Sequence, residues 1–281
     1  MQPVYRIRVT SDGTWGTTSL SSMKKTLSFP NPHRYSSVFH LAAVVLLALT
    51  WSTPAFCDEI HKAAKVGDAG KVEALLKGTP DLVSSKDSNG MTPLQWAADY
   101  GRKDVAELLL AHKAEVNVRD RFGMTPLHRA ALRGRTDVVK LLLAHGSGVN
   151  VKNNDGMTPL HWAASEGHKD VVGLLLAHKA EVNVRDRFGM TPLHRAASEG
   201  RKDVAKLLLA NKAEVDAKDD SGSTPLYYAA FGGHRNVAEL LLANGALVNV
   251  EGWTRKTPLH VAEENKHKDV VALLRQRGGH E

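Results

Sequence analysis

The sequence predicts an all-α repeat solenoid of helix–turn–helix units, and three observations predict it. Thr-Pro-Leu occurs six times, beginning at Thr92, Thr125, Thr158, Thr191, Thr224 and Thr257, and each copy follows the previous one by 33 residues. Each copy opens an apolar stripe with helical spacing, and a second, leucine-rich stripe follows. A glycine stands between the two stripes at Gly101, Gly134, Gly167, Gly200 and Gly233. Self-similarity at a fixed period of this size marks a stacked array, in which each unit buries its apolar face only against its neighbours.

The elements of one unit follow in order. Thr92 supplies an N-cap hydroxyl, Pro93 fits the first helical position, and Leu94, Ala97 and Ala98 form an apolar stripe, so a first helix runs from Pro93 to Tyr100. Gly101 ends it, because a left-handed residue is cheapest without a Cβ. In the second helix Val105, Leu108 and Leu109 have i, i+3, i+4 spacing, copied at Val138, Leu141 and Leu142 and at Val171, Leu174 and Leu175. Helices of about ten residues do not persist alone in water, so stability must come from stacking. Lys113, Lys179 and Lys212 stand where Gly146 and Gly245 close the second helix. Either the same left-handed turn forms there at about 1 kcal/mol relative to glycine, or lysine simply ends the helix and screens its carbonyls. The Asp-x-x-Gly stretches, such as Asp87 to Gly90 and Asp186 to Gly189, read as the turns of projecting hairpins.

The whole frame appears at Asp120-Arg-Phe-Gly-Met-Thr-Pro-Leu-His-Arg-Ala-Ala, then Gly134, Asp137-Val-Val-Lys-Leu-Leu-Leu and Val149-Asn150. It resembles the ankyrin repeat over about residues 60–278. The resemblance implies an array of helix pairs with projecting β-hairpin turns, acting as a non-catalytic binding scaffold. It implies that His128, His161, His194 and His260 serve a structural hydrogen-bond network, with Gln95 and Tyr227 in the same place in two repeats. Partners of this family contact the hairpin tips and the exposed side of the first helices. Carried onto this chain, the tip contacts are Arg121, Phe122 and Met124 in one repeat and Arg187, Phe188 and Met190 two repeats on. The first-helix contacts are Trp96, Arg129, Trp162, Arg195 and Tyr228, an alternation that would build either a cation–π ladder for a partner or rings packed within the array. A hairpin tip offers little core of its own to bury Phe122 or Phe188.

The ends depart from the frame. Residues 58–86 carry both helices without Thr-Pro-Leu-His, with one extra residue in Gly67-Asp-Ala-Gly-Lys-Val72, and read as an N-terminal capping repeat. Residues 87–251 hold five full repeats. In 252–281 Glu263 replaces the second alanine and Lys266 the inter-helix glycine, which reads as a C-terminal cap and makes seven units in all. Leu108 to Ala131 are identical to Leu174 to Ala197, from duplication of a two-repeat unit or from a constrained surface.

Residues 1–57 are of another kind, with five of the 37 Lys and Arg and one of the 30 Asp and Glu. Their apolar stretch, Val38 to Leu49, is shorter than the roughly 20 residues that span a bilayer. Lys24, Lys25 and Arg34 before it and Ser52, Thr53 and Ala55 after it fit a signal peptide, cleaved after Ala55 or Cys57. Met23-Lys-Lys has the form of a bacterial start. A membrane anchor through the apolar segment is the competing reading, and a lipoprotein attached through Cys57 another.

Without residues 1–57 the formal charge falls from +7 to +3, too little and too mixed for a nucleic-acid stripe. Cys57 is the only cysteine, so the repeats hold by packing without disulfides. No phosphate loop, nucleophile elbow, HExxH or metal-ligand spacing occurs in the sequence, and no cofactor is expected. The expectation is therefore an exported, monomeric bacterial scaffold that binds a protein in the periplasm or outside. A secreted effector acting on host proteins is the second reading, and an enzyme the third.

Overall fold

The computed structural model describes residues 58–280, together with the backbone of two short strands nearer the start. The chain divides into two compact units, Met1–Thr50 and Trp51–Glu281. In the first, Arg8–Val9 pairs antiparallel with Trp15–Gly16. The apolar stretch 38–49, the basic residues before it and the small residues after it lie outside the described residues.

Among its described residues the second unit is helical, without strands. Its helices are α1 (58–66), α2 (Ala69–Gly78), α3 (Pro93–Tyr100), α4 (Lys103–Ala111), α5 (Pro126–Leu132), α6 (Thr136–Ala144) and α7 (Pro159–Glu166). There follow α8 (Lys169–Ala177), α9 (Pro192–Ser198), α10 (Lys202–Ala210), α11 (Pro225–Phe231), α12 (Arg235–Ala243), α13 (Pro258–Glu264) and α14 (Lys268–Gln276). Consecutive first helices, α3, α5, α7, α9, α11 and α13, stack in one layer. The second helices α2, α4, α6, α8, α10, α12 and α14 form the other, and each pair packs across the two.

Local chemistry explains each start and stop. Thr92 accepts from the Gln95 backbone N–H while the Gln95 side chain accepts from the Thr92 N–H, closing a capping box that Thr125 and His128 repeat. Gly101 takes φ +70° and Gly134 φ +65°, as expected of the turn. A second reason is steric: a Cβ on Gly101 would stand 2.8 Å from Arg135 Cδ, and one on Gly134 2.6 Å from His168 Nδ1. Those side chains reach back one repeat to the first helix's carbonyls, Arg135 Nε donating to Asp99 O at 3.2 Å and His168 Nε2 to Leu132 O at 3.1 Å.

Lys113, Lys179 and Lys212 adopt φ of 64°, 66° and 67°, so the left-handed turn forms without glycine and the simpler reading of these lysines is corrected. The second-helix stripe also shifts. Val138, Val139 and Leu142 are buried, whereas Leu141 is only partly so, and Leu108 and Leu174 behave like Leu141. One core runs the length of the array, from Ile60 to Leu274. At its far end Glu263 accepts from Arg275 Nη2 at 2.7 Å, a polar contact in a place where Ala131 and Ala197 are fully buried.

Candidate partner-binding surface

The projecting loops are turns organised by one carboxylate each. Asp120 Oδ1 accepts from the backbone N–H of Phe122 (2.8 Å) and Met124 (3.0 Å), and Asp186 Oδ1 from those of Phe188 (2.8 Å) and Met190 (3.0 Å). Neighbouring tips are tied by single backbone bonds, such as Asn154 N–H to Phe122 O at 3.1 Å and Arg187 N–H to Asp155 O at 2.9 Å. No strand forms there among the described residues; the tips are turns, not laddered hairpins.

This geometry sorts the sequence-predicted contacts. Phe122 and Phe188 stand 50% and 51% exposed, each with its neighbouring guanidinium over the ring, Arg121 at 5.0 Å and Arg187 at 4.7 Å. Arg187 also pairs with Asp155 of the preceding tip at 2.7 Å. Met124 and Met190, expected as contacts, are instead buried. Their N–H groups bond back to the tip carboxylate, which turns the chain and carries the side chains inward.

The first-helix positions do not form a cation–π ladder with one another. Each reaches the tip acid nine residues earlier: Trp96 Nε1 donates to Asp87 Oδ2 (2.9 Å), and Arg129 Nη2 to Asp120 Oδ2 (2.5 Å). Arg195 Nη2 donates to Asp186 Oδ2 (2.5 Å) and the Tyr228 hydroxyl to Asp219 Oδ2 (2.6 Å). The exception is Trp162. Asn153 replaces the acid there; its Oδ1 caps the turn to Asp155 and Met157, which leaves only an amide NH2 for the ring. The buried Trp162 Nε1–H finds no acceptor among the described residues. The cation–ring contact on a first helix lies elsewhere, where Lys65 Nζ sits 5.2 Å from the Trp96 ring and 5.1 Å from Tyr100.

Beneath this surface runs the histidine zip. His128 Nδ1 accepts from the Thr125 N–H (3.1 Å) and its Nε2 donates to Met157 O in the next repeat (3.1 Å). His161 reaches Met190 O and His194 reaches Ser223 O in the same way. Gln95 does the equivalent with its amide, donating to Met124 O at 2.7 Å. Burial pushes the pKa of His128 and His161 down to about 4, against the opposing pull of those carbonyl bonds, and lowers that of His194. These imidazoles are neutral struts. His260, in the last repeat, makes no such bond and is half exposed beside Glu264 at 3.6 Å.

Towards the C-terminal end the tips enclose a groove of about 500 Å³, lined chiefly by Phe188, Tyr227, Tyr228, Phe231 and Trp253 with Asp219 and Asp220. It gathers Phe188, Met190 and Tyr228 from the expected contacts, Met190 at its buried floor, and adds Phe231 (50% exposed) and Trp253 (63% exposed). Phe231 ends its first helix and Trp253 belongs to a tip without the Asp-x-x-Gly pattern, so the repeat frame gave neither prominence.

A stacked array of this kind with a row of exposed tips is a repeat scaffold that presents a surface to other proteins. The chain belongs to the ankyrin-repeat family: the model for ankyrin repeats matches in overlapping blocks at 58–120, 113–186, 146–219, 183–252 and 213–280. Curated relatives match over short segments. One is a transient receptor potential cation channel subfamily A member 1 homolog of Caenorhabditis elegans, 38% identical over 58 residues, 21% of this chain and 5% of that protein. Another is ankyrin repeat domain-containing protein 13C-A of Xenopus laevis, 39% identical over 59 residues, 21% of this chain and 11% of that one. The match thus spans a small fraction of either relative. Ankyrin-repeat proteins are generally non-catalytic interaction scaffolds, and no helix among the described residues is long and apolar enough to cross a membrane.

Proposed function

We propose that the array works as a monomeric scaffold that grips a protein partner through its tip row and the exposed side of its first helices. The observation that carries the reading is the pair of half-exposed rings, Phe122 and Phe188, each stacked with an arginine, two repeats apart. Aromatic and arginine side chains dominate interface energetics, and a ring left half in water has apolar area still to bury. Trp96, Arg129, Trp162 and Arg195 back this row; the bonds of Trp96, Arg129 and Arg195 to the tip acids hold those turns in place, and what the four expose flanks the rings. Residues 58–86 and 252–281 act as the caps.

Phe122→Ala combined with Phe188→Ala is expected to weaken partner binding at least tenfold, about 1.4 kcal/mol, with little change in the unfolding midpoint. Titration against the partner and urea denaturation of the same preparations check it. Unchanged affinity would remove the tips as the main site.

The setting we propose is the bacterial periplasm or the exterior, after removal of the leader. Its support is the sequence of 1–57: a short apolar stretch, basic residues before it and small ones after. Protein purified from its native compartment is expected to begin near Phe56 or Asp58 on N-terminal sequencing; an intact Met1 or Met23 on a cytosolic product would refute export.

A further inference from the structure

The tip acids differ in how their charge is met. Asp120 and Asp186 each bond an arginine of their own repeat, and the repeat of Trp162 has the neutral Asn153 in the acid's place. At Asp87 the donor is the Trp96 ring, which carries the Lys65 ammonium. Asp219 is bonded by the Tyr228 and Ser221 hydroxyls and by two backbone N–H groups, and among the described residues it forms no ion pair. All its donors are neutral, so its charge persists at the wall of the C-terminal groove. The lining residues include two aspartates and no Lys, Arg or His, and Asp220 meets only the exposed Arg185 at 3.0 Å.

Among the described residues Phe188 is the one groove ring that carries a cation, the Arg187 guanidinium at 4.7 Å, and the other four carry none. Lys65 spans Trp96 and Tyr100 at 5.2 and 5.1 Å, whereas no such contact occurs over Tyr227, Tyr228, Phe231 or Trp253 among the described residues. Next to Trp253, which is exposed, Thr254 and Arg255 adopt φ of 60° and 61°, a region a β-branched residue rarely enters.

We propose that this groove receives a lysine or arginine side chain of a polypeptide partner, its stem lying on Tyr228 and Phe231 and its charge set between the rings and the Asp219–Asp220 pair. The incoming cation completes the charge balance that Arg129 and Arg195 supply within their own repeats. Aromatic faces and fixed carboxylates both favour such a group, and desolvation in the groove strengthens the attraction. The inference rests on the scaffold reading above and names what one part of that surface recognises.

The test uses the full chain and two nine-residue peptides, end-blocked and identical except for a central lysine or norleucine. The lysine peptide is expected to shift the indole N–H signal of Trp253 and the amide signals of the tip at 219–223, with norleucine at least fivefold weaker. Asp219→Asn keeps the turn, since Asn153 caps the same turn natively, and Tyr228→Arg installs the cation found at Arg129 and Arg195. Each should weaken lysine-peptide binding at least fivefold at a near wild-type unfolding midpoint. Equal binding of the two peptides, or lysine-peptide binding indifferent to both substitutions, overturns the proposal. A natural partner that binds Tyr228→Arg as tightly as wild type also overturns it, while leaving the scaffold reading standing. A chain that takes the lysine peptide by these criteria but retains no protein partner supports the groove and removes the scaffold.

Discussion

Truncating Leu142 or Leu175 to Ala is expected to cost on the order of 2–5 kcal/mol each, through lost burial and the cavity left behind. Both side chains are fully buried, on α6 and α8 respectively, where second helices meet their own first helix and the next repeat. Neither element can close over a void by itself, since each repeat is held only by its neighbours. The loss should therefore spread, with hydrogen exchange accelerating in α4 and α10 as well as at the mutated helix. Leu247→Ala, at a side chain 61% exposed, serves as the surface control and should stay within about 0.5 kcal/mol. Urea denaturation measures all three. Wild-type midpoints for both core variants would contradict the placement of these leucines in the stack.

Much of this core was legible in the sequence, because the features that place it are local and periodic. Thr92, Pro93 and Gly101 bracket a helix whose bounds, Pro93–Tyr100, are those expected from the cap and the stop. Exposure of Phe122 and Phe188 was legible for the same reason: a tight turn has no interior. What escaped depended on contacts a repeat or more apart. Met124 and Met190 sit next to the tip glycines in sequence, yet the bond from their N–H to the aspartate four residues earlier turns them inward. The roles of Arg129 and Arg195 were also missed, although a signal was present. An acid stands nine residues before each such donor, and Trp162, which has Asn153 there instead, lacks the bond. Likewise the residue after the inter-helix glycine is Arg or His in Gly101-Arg102, Gly134-Arg135, Gly167-His168, Gly200-Arg201 and Gly233-His234. That regularity marks the bond back to the preceding repeat's carbonyls, which no reading of one helix alone could supply.

The histidine zip makes stability depend on pH in a definite direction. His128 and His161 have folded pKa values pushed down to about 4, chiefly by burial, from 6.5 in the free side chain, and His194 is lowered for the same reason. Above pH 6.5 neither folded nor unfolded chain protonates these rings, so their contribution is complete. As pH falls below 6.5 the unfolded chain binds protons that the folded chain refuses, and stability drops by about 1.4 kcal/mol per pH unit for each histidine. For His128 and His161 the loss levels off near pH 4, where the folded rings protonate too. A protonated Nδ1 cannot accept the N–H of its threonine, so protonation opens the capping box and sets a positive charge in the core. The urea midpoint is expected to fall clearly between pH 7 and pH 5, a range above the ordinary carboxylate pKa values. Gln95 supplies the control, since it makes the same two bonds with an amide that does not titrate. His128→Gln, His161→Gln and His194→Gln combined should keep the zip and flatten the dependence in that window. A wild-type midpoint that does not move between pH 7 and 5, or a triple variant as steep as wild type, would show that these rings are not the source.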